Sequence, residues 1–262
     1  MLAVFALRLA AGMMACLLLL PAKVINPRFF RTHFLTAFAL GGLSLACVRD
    51  SADWWLLTCL GAALVLSFVG SMVWGLEGAP GGRAFIALTT VALASSLVCL
   101  SLSGIQAGSV SGGEASVAYA SGSYGTLLGD ATSAAVLGAA VTAMLLGHSY
   151  LIAPTMSLTP LLRLLAVLAV AVLSRLAVDG YALGCWTAIH SFVSLKSGDA
   201  VYLLPLRWLV GFVAPLGLDW MAWQAARIRS TQSATGILYV VVIFCFLGEL
   251  TSLLLRSTGM TF

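Results

Sequence analysis

The chain has 262 residues, 61% of them hydrophobic and 8% charged, with a formal net charge of +4. A soluble domain carries roughly a quarter charged residues, so an ordinary soluble fold is excluded and one polytopic membrane domain over residues 1–262 remains. The basic residues are scattered over short loops, which gives no nucleic-acid stripe and makes the lipid bilayer the first expected partner.

Hydropathy and chain breakers predict an all-α transmembrane helical bundle of about eight spans. The first covers residues 2–21 and is read as a retained helix, because the apolar core before Cys16 is too short for a lipoprotein-type leader. The second covers 32–48, the third 54–76 and the fourth 84–105. Residues 106–125 are rich in Ser, Gly and Ala and are expected to form a flexible loop outside the membrane. The fifth span, 126–152, repeats small residues every fourth position at Ala131, Ala135, Ala139, Ala143 and Gly147, flanked by Ala134, Gly138 and Thr142. Such a ridge lets a second helix backbone approach closely. The sixth span covers 159–181. Residues 184–199 have helical spacing but are too short to cross, and are expected as an interfacial or re-entrant segment. The seventh and eighth spans form a hairpin between 200 and 255 around a basic turn. Neither an internal repeat nor an inverted pair of halves is evident.

The seventh span carries Pro215 between Gly211 and Gly217. Proline has no amide to donate and its ring collides with the carbonyl four residues back, here that of Gly211, so this helix is expected to be kinked or unwound. Freed backbone carbonyls are tolerated in a membrane only beside protein or a wet cavity.

Lys23, Arg28, Arg31, Arg83, Arg163, Arg227 and Arg229 fall on one side of the eight spans, and Arg8, Arg49, Lys196 and Arg256 on the other. The excess of basic residues marks the first side as inside, with both termini outside, in a bacterial inner membrane.

Ionisable groups within spans are functional candidates, because each needs a partner or water. By helical rise, Arg175 and Asp179 lie about 6 and 12 Å outward of the bilayer centre, and Arg207 and Glu249 about 10 Å outward. Two cations and two anions thus share one level, and Arg175 and Asp179 share one helical face. The arrangement fits an ion-pair network locking helices together or the lining of a polar path. Glu249 is expected to contact Arg207 or Arg175. Asp219 lies about 6 Å inward, with Arg163 and His148 as possible partners. Alone in hydrocarbon it would hold a proton.

His33 and His148 end their spans on the inner side and could together ligate haem b or face a quinone, with Gly147 leaving room for a porphyrin. Cysteine spacing gives no metal site: Cys16, Cys47, Cys59, Cys99, Cys185 and Cys245 contain no CxxC pair and read as small apolar residues. The motifs of NTPases, zinc proteases and serine hydrolases are absent. Three functional readings follow. One is a membrane subunit of a redox or respiratory assembly, holding quinone or haem or guiding protons beside other membrane subunits. The others are a small solute or ion transporter or channel, and a structural scaffold.

Overall fold

The computed structural model describes residues 1–22, 24–50, 52–76, 81–110, 123–153, 156–189 and 200–257. Among these the chain is an all-α bundle without strands. The helices are α1 (Leu2–Leu18), α2 (Pro27–Val48), α3 (Trp54–Val73), α4 (Gly82–Val110), α5 (Ser123–Ile152) and α6 (Thr159–Ile189). They continue with α7 (Ala200–Trp208), a π-helical turn (Leu209–Val213), α8 (Ala214–Arg227) and α9 (Thr231–Ser257). Seven spans are long and apolar enough to cross a membrane, with α7, the π turn and α8 counted as one. The apolar α1, at 17 residues, is shorter. The chain is a multi-pass membrane bundle whose outward apolar faces suit lipid.

Local chemistry sets several boundaries. Pro27 opens α2 behind Asn26, whose side-chain oxygen accepts the Arg28 amide at 3.0 Å. α6 runs through Gly184 to Ile189, so the first part of the segment expected at the interface continues a long helix. Its remainder, 190–199 with His190, and most of the Ser/Gly-rich stretch, 111–122, lie outside the described residues.

The interruption of the seventh span is a change of hydrogen-bond register. Ala214 donates its amide to Leu209, five residues back. The widened turn places Pro215 in the first turn of α8, where a missing amide leaves no gap in the ladder. The break therefore begins at Leu209, two residues before Gly211, and Gly217 lies in regular α8.

Packing sorts most of the helices into two groups of four. α1 packs on α2 and α4, α2 on α3, and α3 on α4, which closes a ring of four helices. α5 packs on α6 and α9, α6 on α8, and α8 on α9, closing a second ring of four spans. The extensive α1–α5 contact joins the rings. Small residues permit it: a Cβ added to Gly138 would collide with the Gly12 backbone, and one added to Gly12 with the Ala134 carbonyl. The flanking row of α5, Ala134 and Gly138, thus meets α1. Gly147, from the other row, meets α9, where a Cβ would lie 2.9 Å from the Thr235 hydroxyl.

Gly138→Ala is expected to cost about 1–3 kcal/mol or more, because backbone must move to admit the methyl. Gly61→Ala, with open space around the added carbon, is expected to be neutral or mildly stabilising. Thermal unfolding in detergent distinguishes the two, and equal melting temperatures would contradict the α1–α5 crossing.

Candidate functional site

Charge is concentrated at one end of the bundle, where α1, α5 and α7 begin and α4, α6 and α9 end. A guanidinium or carboxylate taken out of water needs partners that replace its hydration. On α6, Arg175 and Asp179 are one turn apart, with Arg175 Nη1 2.8 Å from Asp179 Oδ1. Arg207, in the last turn of α7, donates through Nε and Nη2 to Asp179 Oδ2 at 3.0 and 2.7 Å. Glu249 on α9 is the hub. Its Oε1 accepts from Arg207 Nη1 and Nη2 at 3.2 and 3.1 Å and from Arg175 Nε at 3.4 Å. Its Oε2 takes Arg8 Nη1 at 3.5 Å.

Arg8 overturns one expectation. The charge count sets it among the outer cations, yet it is fully buried two turns into α1. Burial is possible because Asp130 of α5 accepts both its Nε, at 3.1 Å, and its Nη2. Arg8, Arg175 and Arg207 face Asp130, Asp179 and Glu249, all six are buried, and their formal charges cancel. Ser101 of α4 donates to Asp130, and Ser252 of α9 accepts from Arg175 Nη2 at 3.0 Å. The half-buried Arg256 reaches Asp130 at 3.4 Å. Phe212 of the π turn lies 4.5 Å beneath the Arg207 guanidinium.

Glycines set the spacing of these groups. A Cβ on Gly248, beside Glu249, would meet the Cα of Gly211 in the π turn, so the two backbones touch just where Arg207 reaches Glu249. A Cβ on Gly129, beside Asp130, would lie 2.8 Å from Arg256 Nη2 and 3.2 Å from Arg175 Nη1.

The structure brings together Arg175, Asp179, Arg207 and Glu249, and adds Arg8, Asp130, Ser101, Ser252 and Arg256. Arg8 and Asp130 did carry a sequence signal. The same depth arithmetic puts them about 5 and 13 Å outward of their span centres, bracketing the level of the other four.

Asp219 stands apart on α8. It is buried, and its Oδ1 has no hydrogen-bond partner among the described residues. Neither expected partner, Arg163 or His148, bonds this oxygen, and His148 is exposed. The histidines also separate. His33 is fully buried, its Nδ1 2.8 Å from the Phe29 carbonyl and its ring against Phe29, with no partner for Nε2 among the described residues. His148 lines a cleft of about 310 Å³ with Arg28, Thr32 and Met156, and His33 does not line it. With His33 sealed in the core and bonded within its own helix, and His148 exposed, the two do not fit a bis-histidine haem. Among the described residues no cluster of His, Cys, Asp and Glu could hold a metal ion.

Comparison with known protein families, curated proteins and solved structures gives no match. The site is therefore read from its geometry alone.

Replacing Glu249 by Gln leaves three arginines sharing two aspartates and is expected to cost about 3–5 kcal/mol. Replacing Glu249 and Arg207 together by Leu leaves two arginines facing two aspartates, and is expected to cost less than Glu249→Leu alone. Melting temperatures of the purified variants test this. A double variant as unstable as the sum of the singles would show that the two groups are not coupled.

Proposed function

We propose that the chain is an integral membrane subunit of a redox-type assembly and that it guides protons there beside other membrane subunits. The observation that carries this reading is Asp219, a buried carboxyl with an unpartnered oxygen. It sits on the interrupted span that also carries Arg207 of the charge network. A carboxyl in hydrocarbon with no cation beside it can take up and release a proton without breaking an ion pair. The charge network, whose formal charges cancel, supplies a fixed polar wall at the other end of the same span. Haem has no place in this reading, since His33 is sealed in the core and His148 is exposed.

A solute transporter is the second reading. It is favoured by the two four-span rings in contact and by the interrupted span, since transporter sites lie where repeats meet and helices break.

We place the chain in a bacterial inner membrane with both termini outside. With Arg8 inside the bundle, the inner loops still carry Lys23, Arg28, Arg31, Arg83, Arg163, Arg227 and Arg229, against Arg49, Lys196 and Arg256 outside. Reporter fusions at Gly81 and Ser230 are expected to report the inner side, and an outer signal at Ser230 would reverse the orientation.

Extracted in mild detergent, the chain is expected to migrate with subunits that carry redox centres. Asp219→Asn should leave that assembly intact and lower proton transfer by tenfold or more, while Asp219→Glu retains most of it. Unchanged proton transfer in Asp219→Asn would remove Asp219 from the path and with it the basis of the proposal.

A further inference from the structure

The two junctions between the four-span rings are filled differently. On one side of the α1–α5 contact, α9 packs large side chains into the seam: Phe5 and Phe246 meet edge to face at 5.2 Å over Met13 and Leu137. On the other side, at α4, the corresponding seam is open. A groove of about 800 Å³ runs there, floored by Gly12, Ala15, Ala131 and Ala135 and walled by Leu97 and Leu128. Leu128 is 57% exposed, so the groove opens toward the lipid. Its lining covers Ala11 to Leu19, Thr90 to Val98 and Leu127 to Ala135, about 12 Å along each helix. Because Gly12 of α1 packs on Ala134 of α5, the α1 stretch continues inward from the α5 stretch, and the groove is longer than either alone.

The head of the groove is polar. Asp130 lines it and carries Arg8, Ser101 and Arg256 around it. Arg256 is the under-compensated member. Its side chain is 27% exposed and, among the described residues, makes one bond of 3.4 Å, to a carboxylate already held by Arg8 and Ser101. Among those residues most donors of its guanidinium fork have no acceptor, and a phosphate diester matches that fork.

We propose that the groove between α1, α4 and α5 seats one anionic phospholipid, with an acyl chain along the small-residue floor and its phosphate at Arg256. The lipid completes the open junction as Phe5 and Phe246 complete the other. This seat is independent of proton transfer at Asp219.

The test uses the whole chain purified in mild detergent and exchanged into phosphatidylcholine vesicles containing about a tenth phosphatidylglycerol. Native mass spectrometry is expected to show one phosphatidylglycerol retained per chain, undisplaced by inorganic phosphate. Arg256→Gln and Ala131→Phe should each lower retention by tenfold or more at unchanged helical content. Phosphatidylglycerol bearing a photoreactive acyl chain should label wild-type α1, α4 and α5, a readout that does not depend on a variant folding. Equal retention of phosphatidylcholine, labelling spread over α3 and α8, a co-purified quinone in place of the lipid, displacement by phosphate alone, or full retention in Ala131→Phe would each overturn the proposal.

Discussion

A guanidinium at the heart of the bundle constrains everything around it. Arg8 lies on α1, the helix whose side chains are most completely enclosed, and it is itself fully buried. An arginine within a span costs about 2.5–3.5 kcal/mol on insertion scales and more on an isolated helix. α1 therefore reaches its place only with acids already aimed at it, Asp130 from α5 and Glu249 from α9. Through Glu249 the requirement passes to Arg175 and Arg207, and through them to Asp179. Six side chains from α1, α5, α6, α7 and α9 must arrive together. That demand links the two rings more specifically than apolar contact, since lipid and leucine compete on equal terms for a helix surface.

Small residues and charges divide the work by depth. Away from the network end, Gly12 and Gly138 let two backbones touch, and a ridge of alanines gives α5 neighbours on several faces. At the network end, Gly211 and Gly248 do the same for the π turn and α9. Backbone distance there fixes side-chain distance: Arg207 spans to Glu249 because nothing larger than glycine separates their helices. The π turn contributes as well. By adding a residue to one turn it shifts Pro215 to a position where its missing amide is harmless.

Much of this architecture was legible in the sequence, for identifiable reasons. Long apolar runs specify spans because only helices satisfy backbone groups in hydrocarbon. Depth specifies partners, because antiparallel neighbours bring residues of equal depth together, and so Arg175, Asp179, Arg207 and Glu249 could be grouped. Arg8 escaped because a cation near the start of an apolar run reads as a boundary marker. Asp130 escaped in the same way at the start of the fifth span. The histidines show what depth leaves out. His33 and His148 both end spans on the inner side, but one turns inward beneath Phe29 and the other faces out. Direction around a helix is read from an apolar stripe, and helices apolar on all faces carry little of one. The two rings were hidden for a related reason, since their likeness lies in which helices touch rather than in residues at a fixed spacing.

The remaining contrast is between the two ends of one interrupted span. Above the π turn, Arg207 is held by two carboxylates, and any change in its charge would unbalance five others. Below it, Asp219 belongs to no pair among the described residues, and one of its oxygens is unsatisfied. A buried polar atom without a partner is costly, and a fold that retains one beside a fully paired network holds an unexplained expense in a single place. A buried leucine would fill that position more stably. The fold has thus immobilised charge at one end of the span and left a titratable group uncommitted at the other. The π turn lies between them in the chain, so the paired arginine and the unpaired acid are set on separate stretches of regular helix.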